Sequence, residues 1–187
     1  GMAFLRGIVN EAARGGYGRS NLGTGVKYNV EFVSANPTGP MTVAHGRQAA
    51  VGDALCNILT YAGFAVTREY YLNDTGRQIR MLGASVFHFY AKFAGGSYPF
   101  PEDGYHGDYI EGIGKALFDK EGARLVGVPE AEAVLAAGIF AGDLIMEGIK
   151  EELADFRVKF DMYFSQRAFE ASGTVDELMK RLRERGD

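Results

Sequence analysis

Apolar residues recur at helical spacing over residues 46–62, where Ala50, Val51, Ala54, Leu55, Ile58, Leu59 and Ala62 form one stripe that Gly63 ends. This spacing predicts an amphipathic helix closed by a glycine C-cap. The segments on either side have a different pattern. Val26 to Val33 is apolar on both alternating sets of positions, as an inner strand of a parallel sheet is, with Glu31 the exception. Phe64 to Leu72 reads as a second strand. Strand, helix, strand in this short interval makes a βαβ unit with a right-handed crossover.

The remaining pattern is mostly helical. Phe4 to Arg14 is a short helix ended by Gly15-Gly16. After the turn Asn73-Asp74-Thr75-Gly76, a helix carries Ile79, Leu82, Val86, Phe89, Tyr90 and Phe93, and Gly95-Gly96 breaks it. The Pro-, Gly- and Tyr-rich stretch 97–107 is a loop leading to a helix over 109–121, with Asp108 and Glu111 placed as N-cap and N3. Val128 to Phe156 is helical but interrupted by glycines. Lys159 to Phe164 reads as a third strand, and Thr174 with Glu177 caps a last helix bearing Val175, Leu178, Met179 and Leu182. The interval between the second and third strands exceeds one crossover helix. The expectation is therefore an α/β fold, a Rossmann-type parallel sheet whose first half is 26–96, with a helical insertion over 97–157 and a return strand and helix over 158–187.

Composition narrows the function classes. Apolar residues are 47% of the chain, charged residues 24%, and the net charge is −4, an ordinary globular balance without a basic stripe for nucleic acid. No apolar run is long enough to span a bilayer, so no membrane role is expected. Cys56 is the single cysteine, which excludes an internal disulfide and suits a reducing, cytoplasmic setting. It reads as a small core residue. Glycine, 26 of 187 residues, is scattered without period and mostly punctuates elements. Gly1 before Met2 reads as a residue left by an expression tag, and oligomeric state is not legible.

Candidate chemistry concentrates where the first strand gives way to the first long helix. The Gly-x-Gly-x-x-Gly fingerprint is absent there, and so is a P-loop lysine, which disfavours dinucleotide and P-loop chemistry. The turn instead presents Asn36-Pro37-Thr38-Gly39-Pro40, followed by Thr42, His45 and Gly46 at the helix start. Unpaired backbone N–H groups and the positive dipole end make such a start a phosphate site. His45 there is either a donor to an α-phosphate during nucleotidyl transfer or a structural, solvated histidine. Glu31 has two readings as well. A carboxylate on an apolar inner strand needs a cation, either a bound guanidinium or an internal partner in Arg68 or Arg77.

The string Val30-Glu31-Phe32-Val33-Ser34-Ala35-Asn36-Pro37-Thr38-Gly39-Pro40-Met41-Thr42-Val43-Ala44-His45-Gly46-Arg47, with Arg68-Glu69-Tyr70-Tyr71-Leu72-Asn73-Asp74-Thr75-Gly76-Arg77-Gln78-Ile79, closely resembles bacterial arginyl-tRNA synthetases of class I. The resemblance extends to Tyr17-Gly18-Arg19-Ser20, to Gly104–Ile110, which includes His106 and Asp108, and to Phe156–Asp161, and so covers nearly the whole chain. It implies a nucleotidylyl-transferase-like Rossmann catalytic domain that is truncated here. The family's N-terminal additional domain, lysine-bearing second catalytic half and anticodon-binding domain are not recognisable, so the chain reads as an excised part of a longer synthetase. The family's His-x-Gly-His box falls on Thr42, Val43, Ala44 and His45, keeping only the second histidine. This is either a tolerated variant, which the intact surrounding turn favours, or a weakened adenylation site. Gln166 stands where a Ser-Glu pair is usual.

By resemblance, His45 is catalytic, and Pro37, Thr38, Gly39, Thr42, His45 and Gly46 bind ATP. Glu31 and Asn36, with Ser34 and Gln78 beside them, bind arginine. Magnesium accompanies ATP, and no structural metal site is expected. The implied reaction of the full-length enzyme is formation of arginyl-adenylate from arginine and ATP, then transfer to tRNA(Arg). The chain alone is expected to be inactive. The alternative is a non-catalytic synthetase-like module that binds arginine or tRNA.

Overall fold

The structure is a computed structural model and describes residues 1–186. Asp187, the end of the expected return segment, lies outside the described residues. Three parallel strands organise the chain: β1 (Lys27–Glu31), β2 (Ala65–Leu72) and β3 (Met162–Ser165), in the order β1-β2-β3. Lys27 lies opposite Ala65 and Glu31 opposite Glu69, while Glu69 also faces Met162 and Leu72 faces Ser165. Helix α1 (Met2–Ala13) precedes the sheet, and α2 (Val43–Tyr61) makes the crossover from β1 to β2. After β2 come α3 (Gly76–Phe93), α4 (Asp108–Glu121), a 3-10 turn (Arg124–Gly127) and α5 (Glu130–Asp155). After β3 come α6 (Gln166–Ala171) and α7 (Thr174–Arg185).

Two cores result. One face of the sheet, with Phe32 and Tyr70, packs on Ala49 and Cys56 of α2, on Met146, Ile149 and Leu153 of α5, and on Val158. The other core joins Leu82, Val86 and Tyr90 of α3 to Ile110, Ile113 and Leu117 of α4 and Ala133, Ala137 and Ala141 of α5. The segment 97–157 thus packs on α3. α5 is one helix of 26 residues with side chains in both cores.

The structure changes several expectations. The glycines of α5 do not interrupt it; they are where helices touch. A Cβ on Gly138 would stand 2.3 Å from the Ile79 carbonyl oxygen, and one on Gly83 of α3 would stand 2.0 Å from that of Val134. Among the three strands of this chain β1 lies at one end of the order, and Lys27, Tyr28, Asn29 and Glu31 are exposed. Its ladder ends before residue 33 because Val33 and Ser34 adopt positive φ, 65° and 41°.

α2 starts at Val43, before His45 and Gly46, so both lie within its first turn. Its buried face is Ala49, Gly52 and Cys56, while Val51, Leu55 and Ile58 of the expected stripe are 64%, 45% and 66% exposed. Gly52 decides that orientation, since any Cβ there would overlap the Phe32 ring and only the small-residue face can approach the sheet so closely. Asp108 and Thr174 are first helical residues rather than caps. The caps are Gly107 and Gly173, whose positive φ of 145° and 74° a threonine or aspartate adopts at a cost. His88 is half-buried, with Nδ1 2.5 Å from the Tyr98 carbonyl oxygen and its ring edge-on to Phe89 and Phe100. Among the described residues no helix is long and apolar enough to cross a membrane.

Candidate functional site

Ligands of open parallel sheets bind beyond the carboxyl ends of the strands. Here those ends lead into the turn after β1, the Asn73–Gly76 turn after β2 and α6 after β3. The turn after β1 is fixed from below and from the side. Ala35 and Pro37 are buried beneath it, and the buried Tyr70 hydroxyl donates to the Ala35 carbonyl at 2.9 Å. Burial raises the Tyr70 phenol well above its ordinary value, so it remains a neutral donor. From α4, the Tyr109 hydroxyl donates to the Thr38 carbonyl at 2.9 Å, and burial, with a smaller push from Tyr105, raises that phenol too. Gly39 lets this ring approach, because a Cβ there would lie 3.1 Å from the Tyr109 oxygen.

Within the turn the polar side chains are paired. Asn36 Nδ2 donates to Gln78 Oε1 at 2.7 Å, linking the turn to the first turn of α3. Ser34 Oγ donates to Glu31 Oε1 at 2.5 Å and accepts from the Tyr71 backbone N–H at 3.1 Å. Glu31 is exposed, so the expected burial penalty does not apply, and neither internal cation takes it. Arg68 pairs with Asp53 at 3.6 Å and donates to Asn57 Oδ1, whereas Arg77 pairs with Asp103 at 3.2 Å.

At the start of α2, Thr42 is the N-cap and its backbone N–H donates to His45 Nδ1 at 3.1 Å, the reverse arm of a capping box. An Nδ1 that accepts carries no proton, so the neutral ring holds its hydrogen on Nε2. The Thr42 hydroxyl lies 3.3 Å from the same Nδ1, within the cap. His45, Asn36, Thr38, Gly39, Pro40, Tyr105 and Tyr109 line a cleft of about 330 Å³. Glu31 and Ser34 line a separate groove of about 480 Å³ between β1 and α2, together with Arg47 and Gln48. The structure therefore brings Asn36, Thr38, Gly39 and His45 into one cleft and Glu31 with Ser34 into the next. Thr42 is exposed, Pro37 lies under the turn, and Gly46 faces open space.

Sequence reasoning missed three residues at these strand ends. Tyr105 and Tyr109 come from a loop and helix distant in sequence. Asp74, 4% exposed, accepts from Ser165 Oγ at 2.6 Å and from the Arg167 backbone N–H at 2.8 Å, and Arg167 reaches on to Asp143. Gln166 accepts from the Tyr71 hydroxyl at 2.9 Å. The only local signal for Asp74 was its place in a turn before a helix. Among the described residues, no group of three or more His, Cys, Asp or Glu side chains is arranged to hold a metal ion.

The family model described as tRNA synthetases class I (R), catalytic domain, matches residues 13–97. An arginine–tRNA ligase of Geobacillus kaustophilus is 49% identical over 98% of this chain and 33% of its own length, and one of Solidesulfovibrio magneticus is 44% identical over 98% and 34%. A Campylobacter jejuni structure assigned to the arginyl-tRNA synthetases superposes with a TM-score of 0.76 at 29% identity, covering 97% of this chain and 40% of that one. The Thermus thermophilus arginyl-tRNA synthetase shares the fold at a TM-score of 0.61 and 22% identity. The chain spans about a third of the length of the curated relatives it matches.

Proposed function

The chain belongs to the class I arginyl-tRNA synthetases as a partial catalytic domain, and on that premise we propose that it carries the ATP-facing and arginine-facing part of a site that joins arginine to AMP and then to tRNA(Arg). The observation that carries the reading is the division of labour around one turn. His45, whose Nδ1 accepts from the Thr42 amide, presents Nε2–H beside the cleft containing Asn36, Thr38 and Gly39, while the exposed Glu31 carboxylate is oriented by Ser34 and is paired with neither Arg68 nor Arg77.

In the proposed reaction, an arginine carboxylate oxygen attacks the α-phosphorus of ATP and pyrophosphate leaves. The His45 Nε2–H donates to phosphate oxygens as negative charge builds on them. Glu31 takes the guanidinium through charge-assisted hydrogen bonds, with one oxygen already fixed by Ser34. Asn36, held by Gln78, presents an amide to the amino-acid end of the substrate. Mg²⁺ travels with the nucleotide phosphates. The adenylate then passes arginine to the terminal ribose of the tRNA, a step we assign to the longer protein.

The non-catalytic alternative, a module that only binds arginine or tRNA, has one observation in its favour: the Thr42 hydroxyl sits within the helix cap next to Nδ1. Calorimetric titration of this chain with L-arginine and, separately, with an ATP analogue tests the assignment. Arginine is expected to bind, and Glu31→Gln to weaken it roughly tenfold or more, since hydrogen bonds to a charged group contribute about 1.5–3 kcal/mol. Unchanged arginine affinity in Glu31→Gln sinks the assigned role. Binding of arginine without any ATP analogue favours the module.

A further inference from the structure

The segment between α3 and α4 adds an uncommitted hydroxyl to the cleft beside His45. Tyr105 and Tyr109 both line that cleft, and Tyr109 gives its hydroxyl hydrogen to the Thr38 carbonyl. The Tyr105 side chain is half-buried, yet its hydroxyl has no hydrogen-bond partner among the described residues. It stands near enough to the Tyr109 phenol to help raise that group, so the hydroxyl end of Tyr105, and not its ring alone, reaches toward the Thr38–Gly39 turn. A free phenol keeps a donor for a ligand. No acidic side chain among the described residues lines the cleft, so an anion there meets the Tyr105 O–H and the His45 Nε2–H without a like charge.

Tyr105 is also held in place before any ligand arrives. The Gly104 N–H donates to the Pro101 carbonyl at 3.0 Å, and a Cβ on Gly104 would lie 2.6 Å from the Phe100 ring, so the loop turns tightly just ahead of Tyr105. The Tyr105 backbone N–H then donates to Ser85 Oγ at 2.9 Å, and that hydroxyl donates to the Met81 carbonyl at 2.9 Å. Ser85 is wholly buried, and without its oxygen the Tyr105 N–H loses its partner. Ser85 lies two turns after Gln78 on the same face of α3. One helix therefore holds Asn36 through Gln78 and Tyr105 through Ser85.

We propose that Tyr105 is a further binding residue of the nucleotide site, its hydroxyl donating to a phosphate oxygen that His45 also holds, with Ser85 as its positioning residue. The inference rests on the ATP reading of this cleft.

Calorimetric titration of the full chain with α,β-methylene-ATP, and with adenosine as the ligand that lacks phosphate, tests it. Tyr105→Phe keeps the ring and removes only the hydroxyl. It is expected to weaken the analogue roughly tenfold or more, as loss of a hydrogen bond to a charged group does, and to leave adenosine affinity and the urea midpoint unchanged. Ser85→Ala is expected to weaken the analogue in the wild type and to add nothing in the Tyr105→Phe background, because it acts through that hydroxyl. A wild type that binds no analogue removes the nucleotide reading itself. Wild-type binding with an unchanged Tyr105→Phe leaves that reading standing and overturns this one. An equal loss with adenosine puts the hydroxyl on the ribose or base and overturns the phosphate contact, and additive losses in the double variant overturn the positioning role of Ser85.

Discussion

At His45 the two ring nitrogens meet different demands. Nδ1 accepts the Thr42 amide hydrogen at 3.1 Å and so helps to close the first turn of α2, while Nε2 is left as a donor beside the cleft. Glutamine at the same N3 position can also accept from the N-cap amide, whereas alanine cannot. His45→Gln is therefore expected to leave the urea midpoint nearly unchanged while weakening binding of an ATP analogue. His45→Ala is expected to lose the binding and about 1 kcal/mol of stability as well. A parallel loss of stability in both variants would show that the imidazole acts only as a cap. The sequence pointed to His45 through its place after a strand and a Pro-Gly turn. Its tautomer was not legible, because that depends on where one backbone amide points. Glu31 was found by an argument whose premise fails: the carboxylate is exposed, and what singles it out is that Arg68 and Arg77 are engaged elsewhere.

α5 crosses α3 at backbone contact, because Gly83 and Gly138 leave no side chain between the two helices. Gly138→Ala forces a methyl group to 2.3 Å from the Ile79 carbonyl oxygen, too close for any rotamer to relieve, so the helices must separate. Urea denaturation should register a loss of about 1–3 kcal/mol, the usual cost of overpacking. Gly148, on the same helix, has nothing within 4 Å of its Cβ position. Gly148→Ala is therefore expected to gain about 0.5–1 kcal/mol from helix propensity alone. Equal behaviour of the two variants would remove the close crossing as the cause. Helical periodicity located α2, α3 and α5, but it could not tell a glycine that ends a helix from one that admits a neighbour. It also ranked the faces of α2 by side-chain size, and so selected Val51, Leu55 and Ile58 over the smaller residues that meet the sheet.

Burial raises the phenols of Tyr70, Tyr98, Tyr109 and Tyr163 above the ordinary tyrosine value. These groups favour the neutral form more in the folded chain than in the unfolded one. Their contribution to stability is therefore complete below the unfolded value of 10.0 and is lost as pH rises beyond it. Urea midpoints measured from neutrality upward should fall above about pH 10, and Tyr70→Phe should flatten much of that fall. A midpoint independent of pH there would contradict it. The parallel sheet and the helical segment between β2 and β3 were legible because local periods repeat along each element. The junction at Asp74 was not, since its partners Ser165 and Arg167 lie far along the chain and no short-range pattern announces them. Ser34, finally, joins two strands through a single hydroxyl, taking the Tyr71 amide hydrogen on one side and giving its own to Glu31 on the other. A cation settling on Glu31 draws on that hydroxyl and alters the bond to the β2 backbone, so the Tyr71 amide resonance is a built-in spectroscopic gauge of occupancy.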